Sequence, residues 1–544
     1  MARDLESDEA VLRAVHQAAR SGNHAHAGQL AQGALAGGLE HPLLLNAAAL
    51  QLEQQGRVSE ALRLLERAVT IAPADIASRN ALGLCLLQLD RPAEALEHFE
   101  LLLKLDASLP FAFTSRGNAW LALGDVARAE ASYERAIELD PRQCLAFAGL
   151  AHLSASRGAC AQARQYAEQA LALVAGLPGA VMSLAAADLG QGRAVEAEAR
   201  IRALLEDGRI TERERAHATG MLGDILDAQQ RTAEAFAAYT SCNECLRRLH
   251  APRFGASPSA LEYARSMDRY FERAEPAVWR SRPRMGPDFS GVRGHVFLLG
   301  FPRSGTTLLE VILEGHPQVA SLEEHELLLD SVQKFMRDTV DLGLLSRAPA
   351  QALEAARSAY WRRVAEAGAD VAGKVFVDKY PLNTLKLPLI ARLFPDAKIL
   401  IACRDPRDVV LSCFRHRFAM SAPIYELLTL DGAARYYGAV MQLLVRLTSL
   451  LPLDTCLVRH EDLVTGFARE MKRICQFLAL DWQPAMGDFA LRTKNRSVLT
   501  PSTAQLVRGL NTEGVGQWRR YRTELAPVQP LLEPWVQRFY YDGE

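Results

Sequence analysis

The stretch His295-Val-Phe-Leu-Leu-Gly300-Phe-Pro-Arg303-Ser-Gly305-Thr-Thr307-Leu-Leu-Glu310 decides how the second half of the chain is read. An apolar run, a turn carrying two glycines and a proline, and a second apolar run predict a buried strand, a tight loop and then a helix. Such a loop presents successive backbone N–H groups at a helix N-terminus, where the positive end of the helix dipole also lies, so it favours a bound anion. Arg303 adds a full positive charge inside the loop.

Outward from this loop, the totals bound the rest. At 544 residues the chain is expected to hold two or three domains, and a hydrophobic fraction of 49% supports buried cores. The formal charge of −2 gives no global attraction to nucleic acid or membrane, so any anion site is local. Nine cysteines lack paired spacing, and residues 1–9 carry charges where a signal peptide needs an apolar core. Both features lead to the expectation of a cytoplasmic protein with reduced thiols. No apolar run approaches the ~18 residues that cross a bilayer, so no membrane span is expected.

The first half is periodic. Turn residues Gly22, Gly56, Asp90, Gly124, Gly158 and Gly192 stand 34 apart, and an alanine follows each by five: Ala27, Ala61, Ala95, Ala129, Ala163 and Ala197. Two antiparallel helices that cross closely need a small side chain at the crossing and a helix-stopping residue between them. Gly83 and Gly117 in the first helix, Phe99 and Tyr133 in the second, and Pro73 and Pro141 after it keep the same phase. A seventh unit, centred on Ala235, is displaced by four residues, which points to an insertion near residues 206–214. The pattern resembles the tetratricopeptide repeat over roughly residues 9–245. That resemblance implies an α-solenoid whose concave surface binds an extended peptide or a partner protein, or which braces its neighbour. Residues 246–293 read as a linker with a short helix, Ala260 to Ala274, and residues 294–544 as an α/β domain.

Three further strand-like segments follow the loop: Val375 to Lys379, Lys398 to Cys403, and Thr455 to Arg459. Each ends in a polar cluster, Lys379-Tyr-Pro381, Arg404-Asp-Pro-Arg407 and His460-Glu-Asp462 respectively. Short strands alternating with helices predict a P-loop-like domain with a mainly parallel sheet, whose ligands sit beyond the carboxyl ends of the strands. Gly300-x4-Gly305-Thr-Thr shares the frame of the nucleotide-triphosphatase loop G-x4-G-K-[ST], but Thr306 stands where that loop has its lysine.

Several ordered motifs resemble sulfotransferases that use 3′-phosphoadenosine 5′-phosphosulfate (PAPS), over roughly residues 294–525. FPRSGTT at 301–307 is similar to that family's 5′-phosphosulfate loop, and IACRDPRDVVLS at 401–412 to its 3′-phosphate segment. GHPQVASLEEHE at 315–326, DKYP at 378–381 and TPSTAQLV at 500–507 look most like the protein-tyrosine sulfotransferase branch. The resemblance implies that Arg303 holds the 5′-phosphate and sulfonate, with Ser304, Gly305, Thr306 and Thr307 as further donors. It also implies Arg404 and Ser412 as the 3′-phosphate pair, Lys379 as a point charge bridging leaving and transferring oxygens, and Glu324 as the general base. His325 is the rival base. Gly514-Val-Gly516-Gln-Trp518-Arg519 is similar to the loop that closes over the nucleotide, which makes Trp518 and Arg519 candidate contacts, with a core position as the alternative for Trp518. Ser502 is in phase with a serine near the transferring group. Two departures stand out: His460 where the branch often has tyrosine, and Gly509 where it often has proline.

The chemistry fits these residue types. Sulfuryl transfer to a hydroxyl needs charge on the departing phosphate to be neutralised and the acceptor's proton to be taken up, and it needs no metal in principle. The expected acceptor is a tyrosine in a protein or peptide, with a carbohydrate, lipid or small-metabolite hydroxyl as the alternative. A kinase-like enzyme or a nucleotide-binding interaction scaffold is the alternative of another class, and the missing loop lysine argues against the kinase.

Overall fold

The computed structural model describes residues 5–255, 258–283, 286, 291–490 and 509–541, so Ser502 lies outside the described residues. The chain divides into two compact units, Met1–Arg193 and, from Ala194 onward, a second unit that carries the rest of the described chain.

The first unit is a run of helical hairpins: Leu5–Arg20 with His24–Ala36, Pro42–Gln54 with Val58–Ile71, Ile76–Gln88 with Pro92–Leu105, Pro110–Ala122 with Val126–Leu139, and Cys144–Ser156 with Cys160–Leu173. The helix Pro178–Gly190 follows them. The 34-residue period is a packing code. Each turn residue, Gly22, Gly56, Asp90, Gly124, Gly158 and Gly192, has a positive φ, which reverses the chain between helices. The alanines five residues on are buried at the crossings. The aromatic positions act as knobs: a Cβ added at Gly83 would stand 2.5 Å from the Phe99 ring, and the Tyr133 ring lies between Gly117 and Gly149, each with a Cβ position 2.6 Å from it.

The same code recurs at the start of the second unit. Glu212–Ala228 and Thr232–Phe254 form a hairpin in which Gln230 takes the turn at φ 62° and Ala235 is fully buried. Tyr239 seats on Gly223, whose Cβ position is 2.5 Å from the ring. The first helix here has 17 residues where Pro110–Ala122 has 13, so the four-residue displacement is one added helical turn. A capping box of Thr211 and Glu214 starts that turn. The second helix has 23 residues where Val126–Leu139 has 14.

The segment that reads as a linker contains core structure. Ser259 and Glu262 form a capping box for the helix Ala260–Arg273, and Ala264, Met267 and Phe271 on its one apolar face are buried in the larger core of the α/β domain. Tyr263 OH donates to the Met336 carbonyl at 2.7 Å, and Arg446 Nε to Asp268 at 2.6 Å. The helix itself is legible in the sequence; proline, glycine and serine on both flanks make the segment read as a linker and conceal its place in the core.

Five strands, β1 (Gly294–Gly300), β2 (Val319–Glu323), β3 (Val375–Lys379), β4 (Lys398–Cys403) and β5 (Asp454–Arg459), form a parallel sheet in the order β2-β3-β1-β4-β5. Residues alternate between its two faces: Phe297, Leu299 and Phe376 enter one core, Val296, Leu298 and Val377 the other. β2 is absent from the sequence reading. It is an edge strand with only Val319 fully buried, so its alternation is weak. Its register sets Glu323 opposite Lys379. The polar clusters predicted at strand ends all lie beyond the carboxyl edge.

Candidate active site

The cradle is built by the end of β1. A Cβ at Gly300 would stand 2.5 Å from the Ala402 carbonyl oxygen of β4, so the loop leaves the sheet where only glycine fits. Thr384 Oγ1 donates to the Gly300 carbonyl at 2.7 Å and pins that exit. Arg303 and Gly305 then take positive φ, 70° and 94°, and the helix Thr306–Leu313 begins. Gly305 gives this helix no side-chain cap, so its first amides are left for another acceptor.

Three chain segments meet on the loop. Arg303 Nε donates to Ser412 Oγ at 2.9 Å, on the helix Pro406–Arg415. Arg404 Nη1 donates to the Arg303 carbonyl at 3.2 Å, and its Nη2 to the Gly514 carbonyl. His460, just past β5, approaches so closely that a Cβ at Gly305 would stand 2.7 Å from its Nδ1. They border a cavity of about 540 Å³. Its lining includes Arg303, Gly305, Thr306, Arg404 and His460 and the apolar side chains of Leu382, Phe418, Met420, Pro423 and Ile424.

Two guanidiniums, Arg303 and Arg404, lie together beside His460. Burial and the neighbouring Arg404 weigh against the charge of Arg303 and push its pKa down to about 10, still fully charged near neutrality. Burial, Arg404 and Arg303 push His460 down to about 3, so its imidazole is neutral. Arg404 Nε and His460 Nδ1 are buried without a hydrogen-bond partner among the described residues. A cleft with unmatched donors, repelling guanidiniums and open helix amides suits a multiply charged anion such as a phosphosulfate or phosphate.

Glu324 lines the same cavity from the end of β2, with 47% of its side chain exposed and φ 50° at its backbone. Lys379 does not line it. Its ammonium is fully buried, 2.8 Å from Glu324 Oε1, 3.2 Å from Glu323 Oε1 and 3.4 Å from Glu310 Oε2. Burial opposes the Lys379 charge, but Glu310, Glu323 and Glu324 outweigh it and raise its pKa above the ordinary value. Glu310 is itself raised by burial. His325 is exposed, its Nδ1 2.8 Å from the Glu323 carbonyl oxygen.

The remaining candidates separate. Thr307 borders the cavity, whereas Ser304 is buried within the turn. Trp518 is in the core, its ring 3.8 Å from the Arg407 guanidinium, and Arg519 is exposed. Asp408, not singled out in the sequence, anchors their loop: its carboxylate accepts from the backbone N–H of Gly516 at 2.7 Å and of Trp518 at 2.8 Å. Glu310 was likewise not singled out. A glutamate inside the apolar run Leu308–Leu313 is the signal that marks it.

The parallel sheet, the glycine cradle and the converging arginines belong to a P-loop-like α/β domain that follows helical repeats in the chain. Residues 295–484 match the Sulfotransferase family, and residues 52–109 and 110–143 match tetratricopeptide repeats, so the chain joins tetratricopeptide repeats to a sulfotransferase-family domain. Among similar proteins, an uncharacterized protein of Aquifex aeolicus is 25% identical over 347 residues, 61% of this chain and 43% of that one. Protein-tyrosine sulfotransferase A of Caenorhabditis elegans is 25% identical over 262 residues, 45% of this chain and 67% of that one. Protein-tyrosine sulfotransferase 1 of Danio rerio is 25% identical over 265 residues, 45% and 72%. The chain thus spans less than half the length of the Aquifex relative. No helix among the described residues is long and apolar enough to cross a membrane.

Proposed function

We propose that this protein transfers the sulfonate of PAPS to an acceptor hydroxyl, a tyrosine in a protein or peptide. The observation that carries the reading is the meeting of Arg303, Arg404 and the uncapped Thr306–Leu313 amides on one cavity whose wall also holds Glu324. The donor supplies an activated sulfonate on a phosphate leaving group. Arg303 and the amides of Gly305–Thr307 bind the 5′-phosphosulfate, and Arg404 binds the 3′-phosphate, with Ser412 orienting Arg303. Glu324 takes the acceptor's proton. Lys379, enclosed by carboxylates, acts by holding Glu324 in place rather than by reaching the cavity. The apolar side chains in the lining, Leu382, Phe418, Met420, Pro423 and Ile424, suit an aromatic ring, which supports tyrosine over a sugar. The repeats recruit the protein that bears it.

Labelled PAPS incubated with a tyrosine-containing peptide array and with glycan and metabolite pools tests this. Labelled tyrosine is expected, and Glu324→Ala abolishes the label while keeping affinity for adenosine 3′,5′-bisphosphate. Label on glycans or metabolites alone sinks the tyrosine acceptor, and an active Glu324→Ala removes Glu324 from its role.

A further inference from the structure

Asp224 and Asp227 lie one turn apart on the helix Glu212–Ala228, and neither takes part in the small-residue packing of the hairpin. Asp227 accepts hydrogen bonds from Arg415 Nη2, from Arg520 Nη2 at 2.8 Å and from Tyr521 OH at 2.6 Å. Asp224 accepts from Arg417 Nη2 at 2.6 Å and from Tyr239 OH at 3.0 Å. The Arg415 guanidinium lies against two rings, 5.3 Å from the Tyr239 centroid and 5.4 Å from that of Tyr521, and its Nη1 donates to Gln517 at 3.2 Å. From the helix Thr232–Phe254, Asn243 Nδ2 donates to the Phe414 carbonyl at 2.8 Å, and Phe236 stacks on Phe414 at 5.1 Å.

Both segments gripped in this way adjoin residues that line the cavity. Residues 414–417 end the helix that carries Ser412, the partner of Arg303, and run directly into the wall residues Phe418, Ala419, Met420 and Ser421. Residues 517–521 follow Gly514, which borders the cavity and accepts from Arg404. A carboxylate only 13% exposed that takes donors from both segments fixes their separation, because a shift of either one breaks a charge-assisted hydrogen bond in a poorly solvated place.

We propose that the 212–254 hairpin is a built-in part of the donor site, and that Asp227, supported by Asp224, is the positioning residue that sets the two cavity walls against each other. The inference rests on reading the cavity as the PAPS site. It gives the last repeat a role in catalysis, separate from the recruitment ascribed to the others.

The test uses the full chain. Asp227→Asn is expected to raise the KM for PAPS and the Kd of adenosine 3′,5′-bisphosphate about tenfold, with kcat changed less than about threefold. Amide exchange in residues 415–421 and 514–521 is expected to quicken while β1 and β4 keep their protection. Asp227→Glu restores most of the affinity, and Glu244→Gln, an exposed change on the same hairpin, alters nothing. Tyr521→Phe, which deletes one donor and keeps the ring, gives about a threefold loss even if Asp227→Asn folds poorly. Unchanged exchange in both segments overturns the inference, and so does a uniform rise in exchange with unchanged affinity, which would make Asp227 a stability residue only. If the wild type binds no bisphosphate, the PAPS reading fails by itself, and the exchange pattern still decides the positioning claim.

Discussion

In the repeat hairpins the fit is set by shape, whereas in the α/β domain much of it is set by charge. Tyr133 fills the gap between Gly117 and Gly149, and its hydroxyl donates to Asn118 at 2.7 Å; around it the crossings are alanine. In the domain, Lys379 is buried among Glu310, Glu323 and Glu324, Asp378 is 1% exposed, and Asp408 anchors a loop through two backbone amides. The 212–254 hairpin belongs to both kinds. Its interior repeats the glycine and tyrosine device at Gly223 and Tyr239, while its outer edge carries Asp224 and Asp227. Shape is enough to stack like on like. Placing reactive groups in a cleft requires directional bonds, and the domain spends buried charge on them.

The largest expected break in this contrast is Lys379→Met. It removes the buried counter-charge shared by the fully buried Glu310 and the partly exposed Glu323 and Glu324, and a loss of about 3–5 kcal/mol is expected in urea unfolding. The matching change in the repeats, Arg157→Met, removes a partly exposed partner of Glu130 at 2.7 Å and is expected to cost less than about 1 kcal/mol. Equal losses from the two would erase the distinction.

The two kinds of packing also differ in how far they can be read from sequence. A turn and an alanine five residues later are local and recur, so the solenoid, the displaced seventh unit and the β1 loop were all legible. Arg303 and Arg404 were legible as residue types at strand ends, whereas Glu324 came only from the family resemblance because β2 was not foreseen. The cluster around Lys379 was not, since its partners come from the loop helix and from β2, and only the register that pairs Glu323 with Lys379 unites them. The helix Ala260–Arg273 was legible but its place in the core was hidden by its flanks, and the motif around Trp518 left contact and core both open until the Arg407 beneath its ring placed it in the core.

Asp378 gives the second test, of intermediate size. Burial pushes its carboxyl up to about 7, against the hydroxyl of Tyr360 at 2.9 Å and the amide of Asn383 at 3.3 Å. A carboxyl raised in the folded state stays protonated there after the unfolded chain has released its proton near 3.9. Its contribution is therefore complete below about pH 4 and lost as pH rises through about 7. Asp378→Asn removes this dependence, so the stability of the variant relative to wild type is expected to rise by about 2–4 kcal/mol between pH 4 and pH 7.5. A constant difference across that range would show that Asp378 is ionised in the fold.

The smallest effect sharpens the comparison most, because it places the same substitution in the same device on two hairpins. Gly117→Ala puts a methyl 2.6 Å from the Tyr133 ring, and Gly223→Ala one 2.5 Å from Tyr239. Alanine gains about 1 kcal/mol of helix propensity over glycine, while overpacking a closed site costs about 1–3 kcal/mol, so both variants should lose about 1 kcal/mol. Tyr133 is held by the opposing Gly149 and cannot retreat. Tyr239 can move only by disturbing Asp224, which its hydroxyl engages, and Arg415, which packs on its ring. Gly117→Ala should therefore lower the urea midpoint and leave bisphosphate affinity as it is, whereas Gly223→Ala should lower both. If the two variants weaken affinity equally, the last hairpin is a repeat like the others. If only Gly223→Ala does, the packing code that builds the solenoid also sets the geometry of the donor cavity.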